Sequence, residues 1–239
     1  MSHTIHGDNE KKRYQIVKNK VAAAKANMTG VYLRVLPFGY MDDSEKEKWG
    51  SWVERRKDGP PRPWLRRALP LVVGRSSALE LGPGAFNDTK FLLSEGFEHV
   101  TAVDVDLTQE AKEILDTLPA EKMKFVLSSF ADLEVHKNEF DLVNAQFSLP
   151  FSSPDTFDSV FAKIKASIKD NGIFVGQFFG DRDTWKTTKP ELTFHTEEEA
   201  RDALKDMELL AFEPEEHDRG TLLGDPKHWH ILHFIARKK

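Results

Sequence analysis

From Arg66 to the C-terminus, short apolar runs alternate with segments of helical pattern, and few folds accommodate this alternation. Strands separated by helices form mostly parallel sheets with helices on both faces. A loop rather than a helix joins the last two runs, which predicts one antiparallel strand at the sheet edge. The fold class is therefore α/β, a doubly wound, mostly parallel seven-stranded sheet. The predicted strands are Ser77–Leu81, Val100–Val105, Lys124–Ser128, Phe140–Gln146, Ile173–Phe179, Glu208–Glu213 and Trp229–Ala236.

Capping residues locate several of the helices between these strands. One helix is predicted at Asn87–Glu95, because a glycine follows it in the position that commonly ends a helix. A second is predicted from Pro154 to about Lys169, since proline is favoured in the first turn of a helix. The segment Thr196-Glu197-Glu198-Glu199 forms a capping box and predicts the start of a third.

Residues 1–65 differ in composition from the rest of the chain and are predicted to form a helical N-terminal cap on a domain of residues 66–239. The segment is rich in Lys, Arg and Trp, and its pattern predicts a basic amphipathic helix at 11–27, a second helix at Ser44–Arg56 and no strand. The basic face has three open interpretations. It is a solvated surface, a lid over a ligand, or a docking surface for an acidic partner.

Charge and cysteine content exclude several classes of function. The formal net charge is −5 and the pI is about 6.0, which is not the basic footprint of a nucleic-acid binder. The absence of cysteine excludes disulfides, a thiolate nucleophile and Cys-ligated metal centres. The N-terminus lacks the apolar region of a signal peptide, and no apolar run is long enough to cross a membrane. We therefore expect a cytoplasmic protein without a membrane partner.

A glycine turn and a spaced acid point to a nucleoside-containing ligand. In Glu80-Leu81-Gly82-Pro83-Gly84, an apolar strand leads into a Gly-x-Gly turn and then a helix start. Such a turn lets a ligand approach the backbone closely. Asp104 ends the next predicted strand, 20 residues past Gly84, where a carboxylate can accept both ribose hydroxyl hydrogens. Asn87 replaces the third glycine of the NAD fingerprint, and Glu80 would repel a pyrophosphate, so NAD is disfavoured.

These residues resemble the first two motifs of the class I S-adenosylmethionine-dependent methyltransferases, which have a Rossmann-like fold. The family's acid-x-Gly-x-Gly motif corresponds to Glu80-Leu81-Gly82-Pro83-Gly84, and its acid at the end of strand two corresponds to Asp104. Phe86 departs from the further glycine that is frequent in the family. The resemblance covers about residues 64–239 and extends to small bacterial methyltransferases of the tellurite-resistance type. Segments 140–151, 176–180 and 225–230 carry that second likeness.

The resemblance implies S-adenosylmethionine as the cofactor and assigns a role to each matching position. Glu80, Gly82 and Gly84 would line the methionine part, and Asp104 would bind the ribose. Val105 would contact the adenine face. Ser129 and Phe130, just after strand three, would contact the adenine edge.

The reaction that the resemblance implies is an in-line displacement, so the chain has to align an acceptor, exclude water and supply a base where one is needed. Asn144 and Gln146, at the end of strand four, are the predicted catalytic residues beside the sulfonium. His230 is the predicted general base, since histidine titrates near neutral pH. No metal is expected, because His233 lies on the opposite strand face from His228 and His230. The predicted substrate-binding residues are Tyr32, Phe147, Phe178 and Trp185.

Three hypotheses follow for the activity. The main one is methyl transfer to a small-molecule acceptor under the N-terminal cap, by a monomer or homodimer that does not act on nucleic acid. The second is an enzyme that uses S-adenosylmethionine as sole substrate, by cyclisation or elimination that releases methylthioadenosine. The third is a non-catalytic cofactor-binding protein that contacts a partner through its basic cap.

Overall fold

The computed structural model describes residues 31–33, 43–221 and 224–239. In these residues nine strands form one sheet. They are β1 (Val31–Leu33), β2 (Ser77–Leu81), β3 (His99–Asp104), β4 (Met123–Leu127), β5 (Phe140–Ala145), β6 (Ile168–Gly180), β7 (Phe194–His195), β8 (Met207–Asp218) and β9 (His228–Lys238). The seven predicted strands are all present, and β1 and β7 are additional.

The strand order is β1-β4-β3-β2-β5-β6-β9-β8, and the short β7 pairs with the end of β6 on the side away from β9. Pairing is parallel from β1 to β6, whereas β9 runs antiparallel to both β6 and β8. This confirms a mostly parallel α/β sheet with an antiparallel edge. The last two strands form the hairpin that the missing helix between them predicted, and β9 lies inside β8 rather than outermost.

Seven helices connect the strands within the described ranges. They are α1 (Asp43–Arg56), α2 (Pro63–Ala68), α3 (Asn87–Ser94), α4 (Gln109–Leu115), α5 (Pro154–Ser167), α6 (Trp185–Thr188) and α7 (Glu197–Ala203). One hydrophobic core joins the sheet to α5 and α7, and a second joins the opposite face to α2, α3 and α4. We call this second face the α2–α4 face. The predicted capping box is present, with Thr196 accepting from the backbone N–H of Glu199.

The helix that was predicted to reach Lys169 ends earlier, at Ser167. Ile168 already pairs with Phe140, so β6 begins five residues before the predicted strand. Asn171 adopts a left-handed φ of 64° within that strand. The asparagine therefore marks an irregularity inside β6 and not the end of α5.

The N-terminal segment is not wholly helical. The expectation that it contains no strand is wrong, because Val31–Leu33 pairs in parallel with Phe125–Leu127 at one edge of the sheet. A run of three residues is too short to show strand periodicity in a sequence. Helix α1 agrees with the predicted helix 44–56, whereas the predicted helix 11–27 lies outside the described residues. Helix α2 crosses the predicted boundary at residue 65, and that boundary stays a prediction.

Candidate functional site

The glycine turn joins β2 to α3 in a backbone conformation that glycine favours. Gly82 has a φ of 69° and Gly84 a φ of 53°, values that other residues rarely adopt. A Cβ atom at Gly82 would lie 2.8 Å from the Cβ of Ser148, and one at Gly84 would lie 2.5 Å from the Trp52 ring. The absence of side chains at the two glycines therefore lets neighbouring groups approach the turn closely on both sides. Trp52 of α1 and Ser148 of the β5–α5 connection pack there.

Phe86, the residue that departs from the family pattern, acts as an anchor for the start of α3. Its φ of 56° is also left-handed, and its side chain is fully buried against Phe125 with ring centroids 6.0 Å apart. Burial of a phenylalanine contributes about 2 kcal/mol or more, which offsets the strain of a non-glycine residue in this conformation. The helix start is thus fixed by apolar packing.

Two buried carboxyl groups lie behind the turn. Glu80 is 2% exposed and accepts a hydrogen bond from the Thr89 hydroxyl, and Asp88 in the first turn of α3 is 5% exposed. Burial, followed by the charge of Asp88, raises the pKa of Glu80 to about 8, against the opposing effects of Thr89 and Arg62. A cationic group next to Glu80 would relieve this penalty.

A chain of polar contacts extends from Asp88 to the end of β5. The backbone N–H of Arg62 donates to Asp88 Oδ1 at 2.7 Å, and Asn144 Nδ2 donates to Asp88 Oδ2 at 3.0 Å. Gln146 Nε2 in turn donates to Asn144 Oδ1 at 3.0 Å. The Arg62 guanidinium lies over the Phe147 ring at 4.5 Å. The structure thus brings the predicted Asn144 and Gln146 together with Glu80.

Asp104 lies at the end of β3, beside the glycine turn, since the backbone N–H of Gly82 donates to Val103 O at 2.8 Å. Its Oδ1 accepts from the backbone N–H of Val105 at 2.7 Å. Burial raises the pKa of Asp104 to about 7, although backbone N–H groups of Val105 and Asp106 lower it. The carboxyl group is positioned to accept further hydrogens from a ligand at the turn.

The predicted adenine-side residues surround the end of β3. Val105 is 38% exposed. Ser129 follows the end of β4, and the preceding residue, Ser128, donates its backbone N–H to Asp104 O at 2.8 Å. The Ser129 hydroxyl donates to Asp132 at 2.6 Å, while Phe130 packs partly buried against the core under α5. These residues share one sheet edge with Asp104, as the prediction requires, but Phe130 also has a packing role.

Helix α1 covers the glycine turn. The cleft between them is lined by Trp52 and Arg56 of α1, by Arg62, and by the turn and the ends of β2 and β5. Its free volume is about 20 Å³, room for about one water molecule. A nucleoside-sized ligand therefore requires α1 to move away from the turn.

An aromatic cluster adjoins this cleft on the β5 side. Its rings contact one another at centroid distances of 5.4–6.3 Å, and Phe151 also contacts Trp49 of α1 at 6.0 Å. Two predicted substrate residues, Phe147 and Trp185, belong to it. The aromatic cluster consists of Phe147, Phe151, Phe179, Trp185 and Trp229.

The other two predicted substrate residues lie elsewhere. Phe178 is fully buried in the core with Phe161 and Phe234, on the sheet face opposite the glycine turn. Strand alternation explains this, because Phe179 is the neighbour that points to the α2–α4 face. Tyr32 lies in β1, with β4, β3 and β2 between it and β5; its side chain is outside the described atoms.

His230 lies apart from the residues at the glycine turn. It is fully buried, and both ring nitrogens contact Arg182, Nδ1 at 3.2 Å from the backbone nitrogen and Nε2 at 2.9 Å from Nη2. Burial and the charge of Arg182 lower the pKa of His230. Within the ranges that the structure describes, no group of three His, Asp or Glu side chains is arranged to hold a metal ion. Nor is any helix there long and apolar enough to cross a membrane.

Sequence reasoning missed Arg62 and Asp88 as site residues, and the buried pair of Lys227 and Asp183. Lys227 contacts Asp183 and lies 4.2 Å from the ring centroids of both Trp185 and Trp229. The only sequence signal for Asp88 was an acid in the first turn of the helix after the glycines. The sequence signal for Arg62 was weaker and consisted of the surrounding prolines, which restrict its backbone.

Residues 78–172 match the family model of a methyltransferase domain, a range that runs from β2 to the first residues of β6. No curated protein matches the sequence significantly.

Among solved structures, the chain is similar to an S-adenosylmethionine-dependent methyltransferase from Methanosarcina mazei, with 20% identity over 75% of this chain and 98% of the other, and a TM-score of 0.55. It is also similar to TehB from Haemophilus influenzae, a tellurite-resistance methyltransferase, at 16% identity, 80% and 67% coverage, and TM-score 0.63. A third similar structure is the 1,6-didemethyltoxoflavin N1-methyltransferase of Burkholderia thailandensis, at 20% identity, 85% and 93% coverage, and TM-score 0.56.

The matched domain model and the similar solved structures show that the chain has the fold of the S-adenosylmethionine-dependent methyltransferases. The cofactor of this class is S-adenosylmethionine.

Proposed function

We propose that the chain transfers the methyl group of S-adenosylmethionine to a small-molecule acceptor. The observation that carries the proposal is the charge at the glycine turn, where Glu80 and Asp88 are buried together and the Arg62 guanidinium lies 3.9 Å from Asp88. With Glu80 and Asp88 both ionised, Arg62 balances one of the two negative charges. A ligand that brings a cation therefore completes the charge balance.

The residues present fit S-adenosylmethionine, which supplies a methyl group on a positively charged sulfur and also carries an ammonium group. In the proposal Glu80 binds the ammonium group and Asp104 accepts the ribose hydroxyl hydrogens. Gly82 and Gly84 let the backbone approach the ligand. Return of α1 over the turn then excludes water from the cleft.

A small acceptor is favoured by the shape of the neighbouring surface. The aromatic cluster lies between the end of β5 and α1, and flat side chains at this place are suited to hold an apolar or aromatic molecule. One similar structure is an N1-methyltransferase of 1,6-didemethyltoxoflavin. That example supports a small acceptor in this chain.

The proposal is tested by mass spectrometry of the purified protein with methyl-labelled S-adenosylmethionine and a small-molecule extract of its source. We expect label in one extract component together with S-adenosylhomocysteine in equal amount. A matched reaction without extract should leave the cofactor intact. Release of methylthioadenosine without a labelled acceptor, or no consumption of cofactor under any condition, would contradict methyl transfer.

Cofactor affinity should rise with pH. The pKa values of Glu80, about 8, and Asp104, about 7, mean that both carboxyls hold protons at pH 6 in the free protein. The ligand ammonium and ribose favour the ionised forms, so binding releases protons, and affinity should increase by about tenfold per proton released between pH 6 and pH 7. Calorimetry in two buffers of different ionisation enthalpy measures this release. Glu80→Gln should remove the share of Glu80 and leave that of Asp104, and an affinity that is flat from pH 6 to pH 7 would contradict the assignment.

A further inference from the structure

Five polar side chains follow one another across the α2–α4 face of the sheet. Strand register pairs Glu80 with Asn144, and the last β5–β6 pair, Ala145 with Gly176, makes Gln146 and Gln177 the next neighbours. On the other side of β6, Gln177 pairs with His233. Paired and alternate residues share a face. The row therefore runs from the glycine turn across β5 and β6 to β9.

Gln177 is an unexplained member of this row. Its side chain is fully buried, and neither its Oε1 nor its Nε2 has a hydrogen-bond partner. Leaving both polar groups of an amide unpaired costs about 1–3 kcal/mol for each. An unpaired buried group of this kind calls for a specific explanation, and a bound ligand would supply the missing partners.

His233 presents a third unpartnered polar atom beside Gln177. The ring is 4% exposed and is stacked on Trp64 of α2, with centroids 4.8 Å apart and planes at 5°. Its Nε2 lies 3.0 Å from Glu215 Oε2, while Nδ1 is buried without a partner. Stacking covers a face of the ring and leaves the in-plane position at Nδ1 available.

The contact with Glu215 assigns the proton on this imidazole. A carboxylate only accepts hydrogen bonds, so Nε2 carries the hydrogen and Nδ1 presents a lone pair. Burial lowers the pKa of His233, although Glu215 and Glu213 oppose the effect. The nearby cations are Arg62, which also lowers the pKa, and Arg67 of α2, which lies over Trp64 and pairs with Glu213. The geometry is that of a base held in one orientation by an acid.

We propose that Gln177 and His233 form the acceptor subsite, and that His233 rather than His230 is the base. The inference rests on the proposed methyltransferase function. The acceptor class is a small molecule whose edge carries an N–H or O–H to be methylated beside a carbonyl or similar acceptor, as in an amide, lactam or enol. Gln177 binds the neighbouring donor and acceptor atoms of that edge, and Nδ1 of His233 faces the hydrogen of the reacting atom.

The chemical step balances with these groups. The acceptor nitrogen or oxygen gives its lone pair to the methyl carbon, and the carbon–sulfur bonding pair remains on sulfur. The acceptor's hydrogen passes as a proton to Nδ1 of His233, and the resulting imidazolium is held by Glu215. Removal of such a base lowers a rate by about 10²- to 10⁴-fold.

Gln177→Leu separates this role from a structural one. The variant replaces two unpaired buried polar atoms with an apolar group, so a merely structural glutamine would be replaced without loss, and the melting temperature should hold or rise. We expect unchanged S-adenosylhomocysteine affinity and at least about a tenfold loss of label transfer into the extract, from the hydrogen bonds lost. Gln109→Leu, at an exposed glutamine of α4, is the matched control and should transfer label normally. Full label transfer by Gln177→Leu, or a loss of cofactor affinity that equals its loss of rate, would overturn the proposal.

His233→Gln keeps a donor for Glu215 but lacks Nδ1, and we expect about a 100-fold lower rate with normal cofactor affinity. A nitrogen-15 spectrum of the native protein tests the same residue without any turnover. It should show His233 neutral at pH 7, with the proton on Nε2. A charged ring, or a proton on Nδ1, would overturn the proposal even if methyl transfer is established. A native protein that transfers no label would instead contradict the proposed function.

Discussion

Replacement of Asp104 by alanine should weaken S-adenosylmethionine binding by about 100-fold. The proposed role of the carboxylate is to accept two ribose hydroxyl hydrogens, and hydrogen bonds to a charged group contribute about 1.5–3 kcal/mol each. Loss of about 3 kcal/mol corresponds to about 100-fold in affinity. The effect should be large because Asp104 lies directly beside the glycine turn, one residue past the carbonyl that Gly82 contacts.

Titration calorimetry measures this affinity, and two variants control it. Asp104→Asn keeps one accepting oxygen and should lose less than the alanine variant. Asp116→Ala changes an exposed acid at the end of α4 and should bind normally. Because Asp104 has a raised pKa from burial, its removal should not destabilise the fold. An affinity for S-adenosylmethionine that is unchanged in Asp104→Ala would contradict the cofactor site.

Replacement of Lys227 by methionine should lower the free energy of unfolding by about 3–5 kcal/mol, the cost of breaking a buried ion pair. The Lys227 side chain is 1% exposed and pairs with Asp183, which is fully buried. Methionine fills similar volume but leaves the Asp183 carboxylate with backbone N–H partners alone, from Trp185 at 2.9 Å and His230 at 3.3 Å. Loss of the ammonium also removes its contacts with the aromatic cluster.

Denaturant unfolding at pH 7 measures the effect, and Lys205→Met provides the matched control. Lys205 pairs with Asp202 one helical turn away, but both side chains are well exposed, at 72% and 67%. Exposed pairs of this kind contribute about 0.5 kcal/mol or less. A change below about 1 kcal/mol in Lys227→Met would show that the pair does not hold this part of the fold together.

The sequence predicted the sheet well wherever a strand is long enough to show a pattern. Ser77–Leu81 was placed without error, and the other six strands were found with shifted ends. Val31–Leu33 and Phe194–His195 were missed because two or three residues carry no periodicity. The start of β6 was missed because Asn171-Gly172 normally ends a helix, and here the asparagine lies within a strand.

The predicted site residues that the structure places together at the glycine turn are mostly those that lie close together in the chain. Glu80, Gly82 and Gly84 lie in one turn, and Asp104 follows at a spacing that the parallel fold fixes. Gln177 was not identified, because its importance depends on register across three strands and on the absence of partners. The choice of His230 as the base stays a prediction, because only the folded structure tells which of His230 and His233 lies on the sheet face that bears the glycine turn.

S-adenosylmethionine or its product should bind at the glycine turn under α1. Hydrogen–deuterium exchange of the protein with and without S-adenosylhomocysteine measures this without any turnover. We expect slower exchange at residues 80–88 and 104–106 on binding, together with a change in α1. Saturating ligand that leaves both segments unprotected, or protects only a region elsewhere in the chain, would contradict binding at the glycine turn.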